Sequence, residues 1–180
     1  MRTAPSVLFW LLCAACNRHA GASGDAPAPS ASVIGIGVAL GVCDDPEVCE
    51  RECASGSADR CRRLGATYAM GHGEGRDEAR AVALYAKACE MNDAPACVFE
   101  GQMHEYAHGV PKDDARAAKL YDRACDLGWL AGCYNRAIML ENGRGVDADV
   151  PRAAELYGRV CEAGANAGCT KARALEERGR

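Results

Sequence analysis

Cysteine is the residue with the most chemical potential in this sequence. There are 12 in 180 residues, enough to build metal, redox or disulfide chemistry. Eight fall into pairs, Cys53/Cys61, Cys89/Cys97, Cys125/Cys133 and Cys161/Cys169, each eight residues apart and each recurring after 36. Cys43 and Cys49 stand outside that register. A zinc site needs four converging ligands, usually with about two to four residues between paired cysteines. Seven intervening residues, spread along a repeating chain, do not converge in that way, and no metal or other cofactor is expected. A disulfide needs Cα atoms within about 7 Å. Eight residues span about 12 Å along a helix and about 26 Å along a strand. The chain must therefore turn back inside each pair, and the intervening segments ASGSADR, EMNDAPA, DLGWLAG and EAGANAG are small and turn-prone. Each bridge would then pin the end of one helix to the start of the next. The competing connectivity joins Cys61 to Cys89 across the helices of one unit, and sequence alone does not fix the choice. Cys43 and Cys49 flank Asp44-Asp45-Pro46, a capped helix start, and are expected to pair and close the first end.

Two further patterns invite a catalytic reading. His104-Glu105-Tyr106-Ala107-His108 matches the zinc-protease motif H-E-x-x-H, in which two histidines one helical turn apart share a metal and the glutamate acts as base. In the 36-residue register, however, His108 aligns with His72 and Arg144 in a loop beyond the end of a helix, and no third ligand follows. A serine β-lactamase needs Ser-x-x-Lys, and no serine here has lysine three residues on. No catalytic residue is assigned.

The elements that position these residues follow from the same period. Leu84-Tyr85 recurs as Leu120-Tyr121 and Leu156-Tyr157, Ala81 as Ala117 and Ala153, Asp77 as Asp113 and Asp149, and Gly73 as Gly109 and Gly145. Periods of this size signify a solenoid of two-helix units. Ala81, Leu84, Tyr85 and Ala88 form one apolar stripe at helical spacing. Asp77, Asp113 and Asp149 stand where an N-cap belongs, Pro151 near a first turn, and Gly128 and Gly164 where a helix ends. The other helix of each unit is expected to start at the second cysteine of a pair and to end near Gly71, Ala107 and Gly143. Tyr85, Tyr121 and Tyr157 belong to the interface between repeats. Trp129 lies in a turn, as a cover for one repeat or an anchor for a partner. Arg80, Arg116 and Arg152, with Lys87, Arg123 and Arg159, form repeated basic positions. They read as a solvated face, with recognition of acidic peptides as the sharper option.

Upstream, Arg2, the apolar run from Val7 to Ala15 and the small residues Ala14 and Ala15 before Cys16 read as a signal peptide over residues 1–15. Cys16 is the expected lipidation site, although Cys13 occupies the position where a lipoprotein signal carries leucine. Cleavage near Ala15 or Ala22, with release, is the alternative. Asn17 after the lipidated cysteine favours the outer membrane. Residues 16–42 hold the lipidated cysteine and a flexible tether, with an apolar run over 33–42 whose role the sequence leaves open. Residues 43–180 form the repeat domain, about three full units plus partial ends. The net charge is -4 with mixed signs, so nucleic acid is not expected as a partner, and the membrane only through Cys16. Aromatic residues make up 6% of the chain and Ala is abundant, as suits close-packed helices.

Leu64-Gly65 to Tyr68, Gly71 to Gly73, Gly109-Val110, Gly145-Val146, and Ala81 to Tyr85 with its copies, closing on Cys-x7-Cys, together resemble the Sel-like repeat (SLR) class related to tetratricopeptide repeats. Its cysteine-rich branch, the Helicobacter cysteine-rich proteins, is most similar. The resemblance covers roughly residues 53–178. His104 and Leu140 depart from it, standing where Tyr68 stands in the first unit. It implies an all-α fold, an α/α superhelical solenoid of antiparallel helix pairs stapled by disulfides. It also implies a non-catalytic interaction module that binds an unknown protein or peptide on its concave surface, and the chain is expected to be a monomer. The alternative function implied by the cysteine-rich branch is a β-lactam-binding or β-lactamase-like hydrolase. The expected location is exported, as an outer-membrane lipoprotein or a periplasmic or secreted protein.

Overall fold

The computed structural model describes residues 41–72 and 75–178. Cys16, the leader, the tether and residues 33–40 of the apolar run lie outside the described residues. The described residues form an all-helical repeat solenoid. In order the helices are α1 (Pro46–Ala54), α2 (Ala58–Met70), α3 (Glu78–Glu90), α4 (Ala94–Tyr106), α5 (Asp114–Asp126), α6 (Leu130–Asn142), α7 (Val150–Glu162) and α8 (Asn166–Arg178).

Local chemistry sets the boundaries. The side chains of Asp77, Asp113 and Asp149 each accept a hydrogen bond from the backbone N–H of the arginine three residues on, satisfying one free donor of α3, α5 and α7. The backbone N–H of each of these aspartates donates to a carbonyl of the preceding helix, at Tyr68, His104 and Leu140, all at 3.0 Å. The loop inside each unit is thereby closed at both ends. Helices α2 and α6 end on left-handed Gly71 and Gly143, and α4 on left-handed Ala107 at φ 59°. Beyond α5 and α7 the left-handed residues are Gly128 and Gly164, and beyond α3 the residue is Asn92, the commonest non-glycine substitute there.

One boundary differs from the sequence reading. Helices α2, α4, α6 and α8 begin three residues before the second cysteine of each pair instead of at it. Asp93 shows why for α4: its side chain accepts from the Ala96 N–H and Pro95 fits the first turn, so the cysteine falls at the end of that turn. The signal was the D-A-P triplet ahead of Cys97.

Among the described residues, five disulfides join Cys43 to Cys49, Cys53 to Cys61, Cys89 to Cys97, Cys125 to Cys133, and Cys161 to Cys169. The four eight-residue bridges hold their Cα atoms 4.5–4.7 Å apart. The alternative Cys61–Cys89 pairing is not formed. Each eight-residue bridge ties the last turn of an odd-numbered helix to the first turn of the even-numbered helix that follows. Such proximity demands small residues. A Cβ on Gly132 would lie 2.7 Å from the Cys125 nitrogen, and one on Gly168 would lie 2.7 Å from the Cys161 nitrogen.

Consecutive helices pack side by side, and α4 also touches α6, its counterpart in the next unit. The core is built from Ala, Leu, Val, Cys and the three repeat tyrosines. Tyr85, Tyr121 and Tyr157 are buried. The rings of Tyr85 and Tyr121 lie on Gly65 and Gly101, where a Cβ would meet a ring carbon at 2.9 and 2.6 Å respectively. Units also interlock through their loops. Gly109 and Gly145 sit at φ +68° and +66°, and an added Cβ would come within 2.4 Å of Glu78 and 2.2 Å of Asp114, at the starts of α3 and α5. The loop of each unit thus rests on the helix start of the unit before.

These contacts set opposite expectations for two single changes. Gly101→Ala forces a methyl into the Tyr121 ring and should cost about 1–3 kcal/mol, lowering the melting temperature by roughly 5 °C or more. Ala107→Gly removes a left-handed alanine and should gain about 1 kcal/mol. Thermal unfolding followed by circular dichroism checks both signs.

Candidate functional site

The zinc-protease pattern does not assemble. His104 lies on α4 and is 7% exposed, whereas His108 is exposed and follows the left-handed Ala107 that ends the helix. His104 faces Glu100, Nε2 to Oε1 at 3.9 Å, while Nδ1 of His108 lies 3.4 Å from Glu78 on α3. Among the described residues no group of three or more His, Cys, Asp or Glu could hold a metal. Ten of the cysteines singled out lie in the five bridges, and Cys16 lies outside the described residues, so among the described residues no cysteine offers a thiolate.

The polar groups that do converge are a repeated pairing of tyrosine and carboxylate, which the sequence reading missed. Tyr121 on α5 donates to Glu105 on α4 at 2.6 Å, and Glu105 also takes Arg144 at 2.7 Å. One unit on, Tyr157 on α7 donates to Glu141 on α6 at 2.9 Å, and Glu141 takes Lys171 at 3.1 Å and Arg178 at 2.5 Å from α8. The signal was available: Glu105 and Glu141 are 36 apart, as Tyr121 and Tyr157 are. The first unit has Ala69 at that position, and Tyr85 stacks on Phe99 instead, with ring centroids 5.3 Å apart. Burial, then the hydrogen bond to the glutamate, pushes the Tyr121 and Tyr157 hydroxyls far above the ordinary tyrosine range. They stay protonated donors, neither bases nor nucleophiles, and serve to clamp one helix to the next.

Glu141 shows a competition. Desolvation pushes its carboxyl up, but the hydrogen bonds from Arg178, Tyr157 and Lys171 outweigh it and hold the group below its ordinary value. Other ion pairs tie helices together, some within a unit and some across units. Half of the Arg62 guanidinium reaches Asp93 at 3.1 Å and the other half Asp59. Arg136 reaches Asp122 at 2.8 Å, and Arg116 reaches the buried Glu100 at 2.9 Å. The repeated basic positions are thus partly committed to the fold: Arg80 donates to the Tyr68 hydroxyl, and Arg123 to the Glu90 carbonyl and the Asn92 side chain. Arg152 and Arg159 line a shallow surface depression on α7 with Asp149 and Glu155, so the two signs are balanced there. Trp129 takes the N-cap position of α6 without capping it and packs against the core.

One set of accessible residues on the even-numbered helices lines up as a strip. On α4, Phe99 and Gln102 are half-buried and Tyr106 is 50% exposed. These stand at i, i+3 and i+7, one helical face. Asn135, Ile138 and Asn142 occupy the same positions on α6, and Arg63 and Met70 the first and last of them on α2. Aromatic, apolar and amide groups alternate along this face, with charge confined to the ends at Arg63 and Lys171.

Because the Glu141 carboxyl is lowered in the folded state, its contribution is complete above the ordinary glutamate range and is lost as pH falls through it. As pH falls below about 4, the protection factors of α8, corrected for intrinsic exchange, should fall in the wild type. In Glu141→Gln that pH dependence should be absent, with α8 exchanging faster already at neutral pH. Hydrogen exchange resolved by peptide checks this.

The fold and its spacing can be set beside known proteins. The Sel1 repeat model matches residues 61–93, 94–129 and 130–164, and each match runs from an even-numbered helix into the odd-numbered helix after it. A protective antigen of uropathogenic Escherichia coli with an SLR fold superposes with a TM-score of 0.72 at 25% identity, over 74% of this chain and 29% of that one. A Sel1 repeat protein from Oxalobacter formigenes gives 0.64 at 27% identity, over 68% and 49%. The chain therefore spans less than a third of the first and about half of the second. The Helicobacter pylori cysteine rich protein B gives 0.55 at 23% identity, over 69% and 95%, a likeness of fold. No curated protein sequence matches the chain. With three consecutive repeat matches that cover more than half of its length, the chain belongs to the Sel1 repeat family.

Proposed function

We propose that this protein is a non-catalytic interaction module of the bacterial envelope that holds an extended segment of a partner protein across its even-numbered helices. The observation that carries this reading is the strip of Phe99, Gln102 and Tyr106 with Asn135, Ile138 and Asn142. Many of the buried polar groups serve caps, loop closure and ties between helices, whereas the strip presents aromatic area and amides on a rigid support. Amide side chains both donate and accept, which suits the backbone of an extended peptide. Aromatic side chains supply contact area at small entropic cost. The family fold, a protein-interaction scaffold, supports the same reading.

The envelope location rests on the five bridges, since disulfides persist in oxidising compartments. It rests also on the leader and on Cys16 as lipid anchor. The hydrolase alternative has no residue in its favour here, because the described cysteines are bridged and Ser-x-x-Lys is absent from the sequence.

A photoreactive amino acid at position 102 should give a discrete adduct in envelope fractions, whereas the same group at Ala115 on α5 should give none. Tyr106→Ala should weaken capture roughly tenfold. Adducts from Ala115 alone would place the partner on the other face. The purified chain should not turn over nitrocefin, with or without zinc. Cys16→Ser should release the protein from membranes into the soluble fraction.

A further inference from the structure

The five bridges are not equivalent. Cys43, Cys49, Cys53, Cys61, Cys89, Cys97, Cys125 and Cys133 are all buried, at 6% exposure or less. Cys161 and Cys169 are both half-buried. Thiol–disulfide exchange needs in-line access of a thiolate to a sulfur, so its rate follows that access. Among the described bridges the last is the one whose cysteines are not buried, and so the best placed to meet a reductant.

The helix that this bridge holds has little else to hold it. Among the described residues, α8 packs chiefly on α7, and its buried residues are Gly168 and Leu175. By contrast α4, clasped between α3, α5 and α6, buries nine residues. The remaining ties of α8 are Lys171 and Arg178 on Glu141, and the side chains of both cations reach water, at 38% and 62% exposure. Ion pairs whose cations reach water supplement the bridge without replacing it, and a helix of this length does not persist alone in water. Under α8 lie Leu156, Tyr157 and Val160 of α7, all buried, together with the Glu141 carboxylate.

We infer that the Cys161–Cys169 bridge is a redox latch, which a dithiol opens selectively, and that opening it frees α8 and uncovers the Leu156–Tyr157–Val160 face of α7. In the reaction one thiolate of the dithiol attacks a sulfur of the bridge, and the S–S bond breaks as a mixed disulfide forms. The second thiol of the reagent then displaces the remaining cysteine sulfur and closes the reagent to its cyclic disulfide. Both cysteines leave as thiols, having taken two electrons and two protons. Removing the ring constraint raises the opening equilibrium of α8 by roughly 50- to 100-fold on the chain-entropy model.

The test is a dithiothreitol titration of the intact chain, split between iodoacetamide trapping with peptide mapping and hydrogen exchange. The expected result is alkylation at Cys161 and Cys169 at concentrations that leave the other eight described bridged cysteines unmodified. At the same concentrations the exchange of amides 166–178 should rise by roughly 50-fold while α2 to α6 keep their protection. The double variant Cys161→Ser/Cys169→Ser should show the same fast exchange with no reductant. The inference fails if another bridge opens first or all open together. It fails equally if Cys161 and Cys169 are alkylated, or replaced by serine, with α8 protection unchanged.

Discussion

The close approach of neighbouring units at each Cys-x7-Cys turn is the constraint on which the rest of this structure depends. With Cα atoms 4.5–4.7 Å apart, the end of one helix and the start of the next cannot separate or slide. That fixes the register between units, while within a unit the ring of Tyr85 or Tyr121 lies over a glycine of the helix before it, at Gly65 and Gly101. An alanine-rich interface buries little apolar area per helix, at about 25 cal/mol for each Å². Covalent closure of a nine-residue ring contributes about 2.5 kcal/mol per bridge on the chain-entropy model. Small side chains and frequent bridges are two halves of one solution: the first allows proximity, and the second compensates for the modest burial that proximity brings.

A second layer of ties is polar. Tyr121 and Tyr157 donate to Glu105 and Glu141, and cations from the following unit complete the set. These carboxylates sit where bulk water is largely displaced, so each has to be matched, and the matching side chains come from a different helix. The loops add a third tie, with Gly109 and Gly145 pressed onto the backbone at the starts of α3 and α5. All three layers act between neighbours along the chain, as a quasi-one-dimensional architecture requires. They also account for where the chemistry went: thiols, carboxylates and phenols that might have served a reaction serve the stack.

Much of this was legible in the sequence because repetition amplifies weak signals. A single Asp-x-x-Arg is unremarkable, but Asp77, Asp113 and Asp149 at one step identify a cap. The turn inside each cysteine pair followed from distances alone. Three things were not visible. Helix starts fell three residues early, because capping at Asp93 acts locally and competes with the cysteine as a landmark. The glutamate partners of the tyrosines were missed because Glu105 lies inside the conspicuous H-E-x-x-H string, and its copy Glu141 lies in a different local context. Nor does sequence reveal the exposure of Cys161 and Cys169, which depends on what packs beside α7. The binding strip was legible only as a face. Its aromatic and amide character emerged once burial had separated Phe99, Gln102 and Tyr106 from the core.

The bridges set the register of the stack, so the deciding measurement is a disulfide map of the non-reduced chain by proteolysis and mass spectrometry. The expected linked pairs are Cys43–Cys49, Cys53–Cys61, Cys89–Cys97, Cys125–Cys133 and Cys161–Cys169, with no crossing pair. A Cys61–Cys89 or Cys97–Cys125 linkage would join helices within a unit instead of joining units. It would contradict the register on which the tyrosine ladder and the binding strip both rest.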